Sequence, residues 1–397
     1  MDLLNQVTFL TGNRDVLERI SAVATMPTFD DLTVDFLNEL SRALLSKAEY
    51  RTYVDLMSYG FWIRKSHLMK ERVRYEGRFR MGRGVAFHIA PSNVPVNFAV
   101  SMTSALLAGN ACVIRVSEKE FDQVRIITNE LNGILEDEKY IEFRDRICII
   151  RYPHDKEITD YLSSISDVRI IWGGDRTIEE VRRSPLPPRG IEMTFADRHS
   201  IAIIDASYYA GLSDEEAKQV AKDFYTDTYY SDQNACSSPR MVVWYGGASQ
   251  ERFWSFLIKK VKEGYELQPV VAVDKLEKFA ELSTDITPIR LIDDNPICMR
   301  IEVDALSDKL MDYKMLGGYF FEYETSDLQS ITPVLGKRAQ TIAYLGVEPS
   351  EIAGIVSKAG VKGVDRIVPV GHTMDLSFFW DGYDMIEAMS RGVFNAD

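Results

Sequence analysis

The sequence predicts an α/β protein in which helices cover both faces of parallel sheets. From residue 84 onward, apolar strand-like segments alternate with helical segments, an order typical of parallel sheets. Short continuous apolar segments such as ACVIRV (111–116) and VRIIW (168–172) indicate strands buried on both faces. A chain of 397 residues exceeds one ordinary domain, so we expect two domains, 1–205 and 206–397.

The N-terminal half supplies the first series of elements. Residues 30–47 predict an amphipathic helix, and RVRYEGRF (72–79) followed by GVAFHIA predicts a hairpin that enters the sheet. The other predicted strands and helices follow in order: strand 84–89, helix 96–107, strand 111–116, helix 122–136, and strands in RICIIRY, VRIIW and SIAIID.

A second series begins near residue 206. It predicts a helix in SDEEAKQVAKDFYTD, the loop SDQNACSSPR, a strand in MVVWY, a helix in ERFWSFLIKKVKEG, and strands around PIRLI, ICMRIEV and AQTIAYL. The boundary between the two series rests on this architecture, because no Pro- or Ser-rich linker separates them.

Composition limits the partners and the compartment. The net charge of −14 disfavours a nucleic-acid or anionic-membrane surface, although a local basic pocket for phosphates remains open. No apolar segment reaches membrane-spanning length, and the N-terminus does not resemble a secretion signal. Neither the four widely spaced cysteines nor the five scattered histidines have metal-ligand spacing, so we expect no metal and a cytoplasmic location.

The segment that follows the strand at 84–89 is a candidate oxyanion site. It reads Pro91-Ser92-Asn93-Val94-Pro95, a loop stiffened by two prolines, and a helix follows it. An asparagine held there could donate its side-chain N–H to an oxyanion. The alternative is that Asn93 is a turn residue.

Two further segments could hold a nucleotide. Arg115 and Glu118 follow the strand at 111–116, where Arg can pair with a phosphate and Glu with ribose hydroxyls; a solvated ion pair is the alternative. Gly173 and Gly174 lie between a strand and a helix that begins near Thr177. Backbone N–H groups there could hold a pyrophosphate, although such turns also use glycine for geometry alone, and the GxGxxG fingerprint is absent.

Cys236 is the candidate nucleophile. It lies in the polar loop SDQNACSSPR, whereas Cys112, Cys148 and Cys298 lie in or beside apolar strand-like segments. Exposure and polar surroundings favour a reactive thiol, and the alternative is a small core residue.

Taken in order, these segments resemble the aldehyde dehydrogenase superfamily. The matching residues are PSN at 91–93, GN at 109–110, RVSE at 115–118, GG at 173–174 and DQNACSSPR at 232–240. The resemblance is strongest to the long-chain acyl-CoA reductases of bacterial luminescence, through CSSPR, AQTIAYLGV and the C-terminal segment GVDRIVPVGHTMDLSFFWDG (363–382).

The resemblance implies a Rossmann-like cofactor domain followed by a second α/β domain that carries the nucleophile, with the C-terminal segment returning to the cleft between them. It implies Cys236 and Asn93 as catalytic residues. The cofactor-binding residues implied are Pro91, Ser92, Arg115, Ser117, Glu118, Gly173 and Gly174.

Several positions depart from the wider superfamily. The Glu that activates water in oxidising members has no counterpart in TFADRHSIAII, and Glu192 lies a few residues early. Arg115 replaces the usual Lys, and Asp232 replaces the Gly before the Gln of the Cys loop. The Glu-Ile-Phe-Gly-Pro segment is not recognisable.

The function expected from this resemblance is NADPH-dependent reduction of an acyl thioester to an aldehyde, with NADH as the alternative cofactor. The expected partners are acyl-CoA or an acyl carrier, an acyl-protein synthetase and further copies of the chain. The alternatives are an acyl-phosphate reductase of the same fold, or an inactive scaffold for an acyl-transfer partner.

Overall fold

The computed structural model describes residues 3–286 and 289–393, and the chain divides into two compact units. The first unit contains the residues up to Ala196 together with those from Leu376 onward, and the second contains Asp197–Asp375. The units therefore divide after Ala196, nine residues before the predicted end of the first domain at residue 205, and the C-terminal segment belongs to the first unit.

The first unit is built on a six-stranded sheet with the order β1-β5-β4-β3-β6-β7. Strand β1 is antiparallel to its neighbour and the other pairs are parallel, which confirms the predicted α/β class. In chain order the strands are β1 (Thr8–Thr11), β2 (Arg80–Gly82), β3 (Val85–Ile89), β4 (Ala111–Arg115), β5 (Ile147–Arg151), β6 (Val168–Trp172) and β7 (Ile191–Phe195), and β2 lies outside this sheet.

Alternating side chains of the central strands enter two different hydrophobic cores. In β3, Val85, Phe87 and Ile89 belong to one core and Ala86 to another, because successive side chains of a strand point to opposite faces. The helices of this unit are α1 (Arg14–Arg19), α2 (Asp31–Ser46), α3 (Val54–Trp62), α4 (Lys65–Arg72), α5 (Asn97–Leu107), α6 (Asp122–Ile134), α7 (Ile141–Arg144), α8 (Lys156–Ser164) and α9 (Asp175–Arg182).

The predicted helix at 30–47 is confirmed as α2. Asp30 caps it by accepting hydrogen bonds from the backbone N–H groups of Leu32 and Thr33, at 2.9 and 3.4 Å. The hairpin predicted from RVRYEGRF is wrong, because that segment forms the end of α4 and a 3-10 turn over Val73–Tyr75.

The second unit is built on a seven-stranded sheet with the order β10-β11-β12-β9-β8-β13-β14, in which β10 alone is antiparallel to its neighbour. The strands are β8 (His199–Asp205), β9 (Pro239–Tyr245), β10 (Ile289–Asp293), β11 (Met299–Val303), β12 (Tyr319–Thr325), β13 (Ala339–Leu345) and β14 (Arg366–Pro369). The helices are α10 (Ala206–Gly211), α11 (Asp214–Asp227), α12 (Glu251–Val261), α13 (Pro269–Asp285) and α14 (Pro349–Ala359).

Two strands of this sheet differ from the expectation drawn from the sequence. Strand β8, which we placed in the first series, pairs with β9 and β13 in the second unit. Strand β12 lies between β9 and β11 although its sequence YFFEYET was not assigned. The segment predicted as a strand around PIRLI forms β10, except that Pro288 lies outside the described residues.

The C-terminal residues form β15 (Phe379–Trp380), β16 (Tyr383–Asp384), α15 (Met385–Met389) and β17 (Ser390–Gly392) within the first unit. In the Trp-Asp-Gly sequence, Trp380 ends β15, and Asp381 and Gly382 form the two-residue turn that leads into β16. Both turn residues have positive φ angles, 48° and 76°. Strand β17 pairs with β2, and Asn110 of the GN segment donates to the Met389 carbonyl at 2.9 Å. The eight 3-10 turns described are Leu3–Gln6, Ile20–Ala22, Ala48–Thr52, Val73–Tyr75, Glu138–Tyr140, Tyr229–Ser231, Asp308–Tyr313 and Leu328–Val334.

Candidate active site

Three of the predicted segments meet at one edge of the first sheet. Strands β4, β3 and β6 are parallel neighbours, and Ile89 at the end of β3 pairs with Arg115 of β4 and with Ile171 of β6. The loops that leave these strands therefore start side by side, where open parallel sheets bind nucleotides. Arg115 ends β4, and the loops carry Pro91, Ser92, Asn93, Ser117, Glu118, Gly173 and Gly174.

The Pro91 loop presents polar side chains to solvent. Ser92 and Asn93 are exposed, whereas Pro91 is half-buried beside Ala90, whose backbone N–H donates to the Arg115 carbonyl at 2.9 Å. The loop is thus tied to the end of β4, and the Asn93 amide remains accessible to a ligand. The next residues, 94–97, form a turn closed by a hydrogen bond from Asn97 N to Val94 O at 3.1 Å.

Arg115 has a guanidinium group that is only partly satisfied within the chain. Its Cζ lies 4.8 Å from the ring centroid of Tyr152, and its Nη2 donates to the Tyr152 carbonyl at 3.3 Å. Its buried Nε has no hydrogen-bond partner among the described residues. Glu118, three residues further along the chain, is exposed. A guanidinium group and a carboxylate therefore lie at or just after the end of β4.

The Gly173-Gly174 turn leads directly into α9. Gly174 is the N-cap of α9 and supplies no side-chain cap, so the first backbone N–H groups of this helix are open to a ligand. A Cβ atom on Gly174 would meet nothing within 4 Å, which leaves space above the turn. Together with the half-buried guanidinium group of Arg115, this edge of the sheet could hold a ligand that carries phosphates.

In the second unit, Cys236 differs from the other three cysteines. It is half-buried, whereas Cys112, Cys148 and Cys298 are buried. Burial raises the pKa of Cys148 and of Cys298 to about 12 and that of Cys112 further still, so these three thiols stay protonated. Cys236 is therefore the thiol best suited to react.

The loop that carries Cys236 connects α11 to β9 and has an unusual backbone. Asp232 and Gln233 are consecutive non-glycine residues with φ angles of 54° each, a conformation that such residues adopt at a cost in free energy. Buried Gln233 holds the loop: its Oε1 accepts from Gly318 N and Tyr319 N at 2.8 and 3.1 Å, and its Nε2 donates to Pro239 O at 3.1 Å.

Further polar side chains surround Cys236. Ser200 Oγ donates to the Cys236 carbonyl at 2.7 Å and accepts from Thr341 N at 3.1 Å. Arg240 is buried and donates to the Met315 carbonyl at 2.5 Å. Burial lowers the pKa of Arg240 to about 10, an effect that the charges of Cys236, Asp197 and Asp232 oppose. A buried positive charge beside Cys236 favours its thiolate form.

Gln233, Ser200 and Arg240 were not selected from the sequence. Ser200 and Arg240 are polar residues in apolar strands, which is a signal that the sequence carries, whereas Gln233 lies in a polar loop where its burial could not be foreseen. The role of these residues became clear only from their contacts with the Cys236 loop, because polar residues at strand ends are common.

Comparison with known proteins places the chain. The model of the family described as acyl-CoA reductase (LuxC) matches residues 2–294, which is more than half of the chain. The match includes Cys236 and all the residues predicted to bind the cofactor or the oxyanion. Thr341 and the residues at 315–319 that contact the Cys236 loop lie beyond it. The chain belongs to the acyl-CoA reductase (LuxC) family. The expected resemblance is confirmed, although the C-terminal Trp-Asp-Gly segment lies beyond the matched residues.

Curated relatives of this acyl-CoA reductase family member are bacterial thioester reductases. The chain is 25% identical over 297 residues to the long-chain acyl-protein thioester reductase of Aliivibrio fischeri, covering 73% of this chain and 58% of that protein. It is 27% identical over 190 residues to the protein of the same name from Vibrio harveyi, covering 47% and 37%. The matches span less than two thirds of the length of these relatives.

Solved structures show that this family member has the aldehyde dehydrogenase fold. Aldehyde dehydrogenase 21 from Physcomitrella patens superposes with a TM-score of 0.68 at 12% identity, over 96% of this chain and 88% of that chain. The glyceraldehyde-3-phosphate dehydrogenase GapN from Methanocaldococcus jannaschii, complexed with NADP, has a TM-score of 0.64 at 14% identity, over 96% and 92%. The NAD-dependent benzaldehyde dehydrogenase from Corynebacterium glutamicum has a TM-score of 0.61 at 15% identity, over 95% and 88%.

Residues 3–286 and 289–393 contain neither a metal-binding cluster nor a membrane-spanning helix. Within these ranges, no group of three or more His, Cys, Asp or Glu side chains could hold a metal ion. In the same ranges, no helix combines the length and the apolar character that crossing a membrane requires.

Glu192 of this acyl-CoA reductase family member is engaged in ion pairs. It lies at the amino end of β7, where its Oε2 accepts from Arg169 Nη2 at 2.5 Å and its Oε1 accepts from Arg182 Nε at 2.7 Å. The candidate loops leave the opposite, carboxyl ends of β3, β4 and β6. With both oxygens engaged by guanidinium groups at the amino end of β7, the Glu192 carboxylate is not placed to act as a general base at these loops.

Asp227 at the end of α11 holds a turn beside the Cys236 loop. Its Oδ2 accepts from Gly371 N at 2.6 Å and its Oδ1 accepts from Thr373 N at 3.0 Å. The next residue, Met374, accepts a hydrogen bond at its Sδ from Ser237 Oγ at 3.6 Å. Burial raises the pKa of Asp227 to about 6, although the two backbone N–H groups act in the opposite direction.

Replacing Asp227 with Asn should change how stability depends on pH. The folded chain binds a proton at Asp227 up to pH about 6, whereas the ordinary pKa of aspartate is 3.8. Between these values the folded state therefore binds more protons than the unfolded state, and the free energy of unfolding falls as the pH rises. Relative to the Asp227→Asn variant, the wild type should lose up to about 3 kcal/mol between pH about 4 and about 6.

Urea unfolding of both proteins at several pH values across this range measures the effect. The Asp205→Asn variant, which removes the charge of a helix N-cap in the same unit but keeps an oxygen acceptor for Tyr208 N, serves as the control. Stability curves of wild type and Asp227→Asn that run parallel would show that Asp227 titrates normally.

Proposed function

We propose that this chain reduces an acyl thioester to an aldehyde through an acyl group carried on Cys236. The observation that supports this proposal is the contrast among the four thiols. Cys236 is half-buried beside the buried charge of Arg240, whereas burial keeps the other three thiols protonated. Family membership and the names of the relatives from Aliivibrio fischeri and Vibrio harveyi point to the same chemistry.

In the first step the Cys236 thiolate attacks the carbonyl carbon of the thioester. A new carbon–sulfur bond forms on Cys236, the donor's carbon–sulfur bond breaks, and the donor thiol leaves with a proton from solvent. Two donors would stabilise the developing oxyanion: the Asn93 side-chain amide and the Cys236 backbone N–H. Donors that are already oriented stabilise this charge more effectively than water does.

The cofactor proposed is NADPH, with NADH as the alternative. Pro91, Ser92, Ser117 and Glu118 would line its binding site, the N–H groups at Gly173, Gly174 and the start of α9 would hold its phosphates, and Arg115 would bind the 2′-phosphate. When bound, it supplies the hydride that reduces the acyl carbon. Cys236 then leaves as a thiolate and the aldehyde is released.

The acyl donor proposed is a thioester on a carrier protein or on CoA, with a long acyl chain. The relatives' names specify an acyl-protein thioester, and an acyl-protein synthetase is the partner that would supply it. We also propose a homo-oligomer and a cytoplasmic site of action, in line with the expectations from the sequence.

The acyl-enzyme test identifies the nucleophile. Incubation with palmitoyl-CoA, or with a palmitoylated carrier protein, in the absence of cofactor should add one acyl group to the peptide that contains Cys236, because that thiol alone is accessible and favoured as thiolate. Peptide mass spectrometry measures the adduct, and NADPH should then release palmitaldehyde. The matched control is Cys298→Ala, which removes a buried thiol of the same unit and should leave acylation unchanged.

Three outcomes would contradict the proposal. An adduct on another cysteine that persists in the Cys236→Ala variant would show that the other cysteine is the nucleophile. Acylation from palmitoyl phosphate but not from either thioester would favour the acyl-phosphate reductase. No acylation from any of the three donors would favour the inactive scaffold.

Cofactor preference should depend on Arg115. Its half-buried guanidinium group can donate charge-assisted hydrogen bonds to the 2′-phosphate, so Arg115→Ala should lower the NADPH-to-NADH preference in kcat/KM by about ten- to a hundredfold. Steady-state kinetics with both cofactors measure the ratio, with Arg14→Ala, an exposed arginine of the same unit, as the control. A ratio that Arg115→Ala leaves unchanged would mean that Glu118 and the ribose hydroxyls set the preference.

The acyl-enzyme should hydrolyse slowly. Glu192 is held by Arg169 and Arg182, so water lacks the general base that contributes about a hundred- to ten-thousandfold to such reactions. The lifetime of the isolated acyl-enzyme without cofactor should exceed a turnover time by at least about a hundredfold. Mass spectrometry over time measures it, and Glu192→Gln should leave it unchanged. Decay to free acid within one turnover, slowed by Glu192→Gln, would disprove this part of the proposal.

A further inference from the structure

Lys275 is a buried lysine with no role in the function proposed above. It lies on α13, is 1% exposed, and directs its ammonium group at the backbone. Its Nζ donates to the carbonyls of Pro296 at 2.8 Å and Gly318 at 3.3 Å, and also to that of Gly317. Burying an ammonium group is costly, so an apolar side chain would serve better if this position only filled space.

The turn that Lys275 binds is tightly constrained. Gly317 and Gly318 both have left-handed backbones, with φ angles of 63° and 82°. A Cβ atom on Gly318 would lie 2.3 Å from the Ile297 carbonyl oxygen and 2.4 Å from the Tyr229 hydroxyl, so only glycine fits there. The turn leads directly into β12.

The same turn holds the loop that carries Cys236. While its carbonyls face Lys275, the N–H groups of Gly318 and Tyr319 donate to Gln233 Oε1 at 2.8 and 3.1 Å. Gly317 N also donates to the Asp232 carbonyl at 3.4 Å. Lys275 therefore binds the carbonyl groups of this turn, and Gln233 binds the N–H groups on its opposite edge.

The loop needs such support because its backbone is strained. Asp232 and Gln233, four and three residues before Cys236, have consecutive left-handed conformations, and strain of this kind persists only where neighbouring groups hold it. Tyr265 supplies a further constraint, since its hydroxyl donates to Asp232 Oδ1.

We propose that Lys275 is a positioning residue for the nucleophile: its ammonium group fixes the Gly317-Gly318 turn and, through Gln233, sets the position of the Cys236 loop. Its importance for catalysis rests on the proposed function, but its effect on Cys236 does not. Burial lowers the pKa of Lys275 to about 8, and the charge of Asp232 acts in the opposite direction. The side chain is therefore largely protonated at neutral pH and has three N–H donors, one for each carbonyl.

The test compares Lys275→Met with Leu282→Ala. Leu282 is fully buried on the same helix and belongs to the hydrophobic core, so its truncation loosens α13 without removing the bonds to the turn. Two rates are measured at Cys236: single-turnover acylation by palmitoyl-CoA and alkylation by iodoacetamide, both followed by peptide mass spectrometry. Urea unfolding gives the stability of each variant.

Lys275→Met should slow acylation by about a hundredfold, the scale expected when a reacting group is misplaced by about 1 Å, with KM for the cofactor unchanged. It should also change the alkylation rate. Leu282→Ala should lower stability at least as much and leave both rates within about twofold of wild type, as expected for a change without contact to the loop. Rates in Lys275→Met that match those of Leu282→Ala would overturn the proposal.

A double-mutant cycle with Gln233→Met tests the route of the effect. If Lys275 acts through Gln233, the double variant should be no slower than Gln233→Met alone, whereas independent effects would multiply. Multiplying effects would overturn the assigned route. If Lys275→Met does not fold, Lys275→Gln, which keeps N–H donors on a shorter side chain, carries the same comparison.

The two readouts separate this proposal from the proposed function. If wild type takes no acyl group from any donor, the function fails. The alkylation rates still decide whether Lys275 positions Cys236, because iodoacetamide requires neither substrate nor cofactor.

Discussion

The hydrogen-bond ladders of parallel strands are the constraint on which both candidate sites depend. In a parallel sheet the strands share one direction, so all loops that follow them leave from one edge. In the first unit this rule brings together the loops after β3, β4 and β6, which are far apart in sequence. The register of Ile89 with Arg115 and Ile171 sets how closely those loops start.

In the second unit the same constraint acts at the amino ends of the strands. The Cys236 loop enters β9, and the neighbouring strands β8 and β12 begin beside it. Ser200 on one side and the turn before Tyr319 on the other therefore contact the loop through hydrogen bonds. Strain in the loop is tolerated because rigid strands surround it.

Buried charges are placed where the backbone or a partner charge satisfies them. Arg240 and Lys275 donate to backbone carbonyls near the Cys236 loop, whereas Glu192 is paired with arginines in the first sheet. These arrangements have opposite consequences for reactivity. The charge of Arg240 favours a thiolate at Cys236, while the Glu192 carboxylate, with both oxygens engaged, is withheld from proton transfer.

The sequence by itself determined the α/β class, most strands and helices, and the loops that hold the candidate residues, because these follow from local apolar patterns and turn residues. The thiol in a polar loop, Cys236, was recognisable for the same reason. Only the tertiary structure decided that β2 pairs with β17, that β8 belongs to the second sheet, and that Lys275 reaches the turn bound by Gln233. These are contacts between residues distant in sequence, and local patterns carry no information about which distant segment will complete a hydrogen bond.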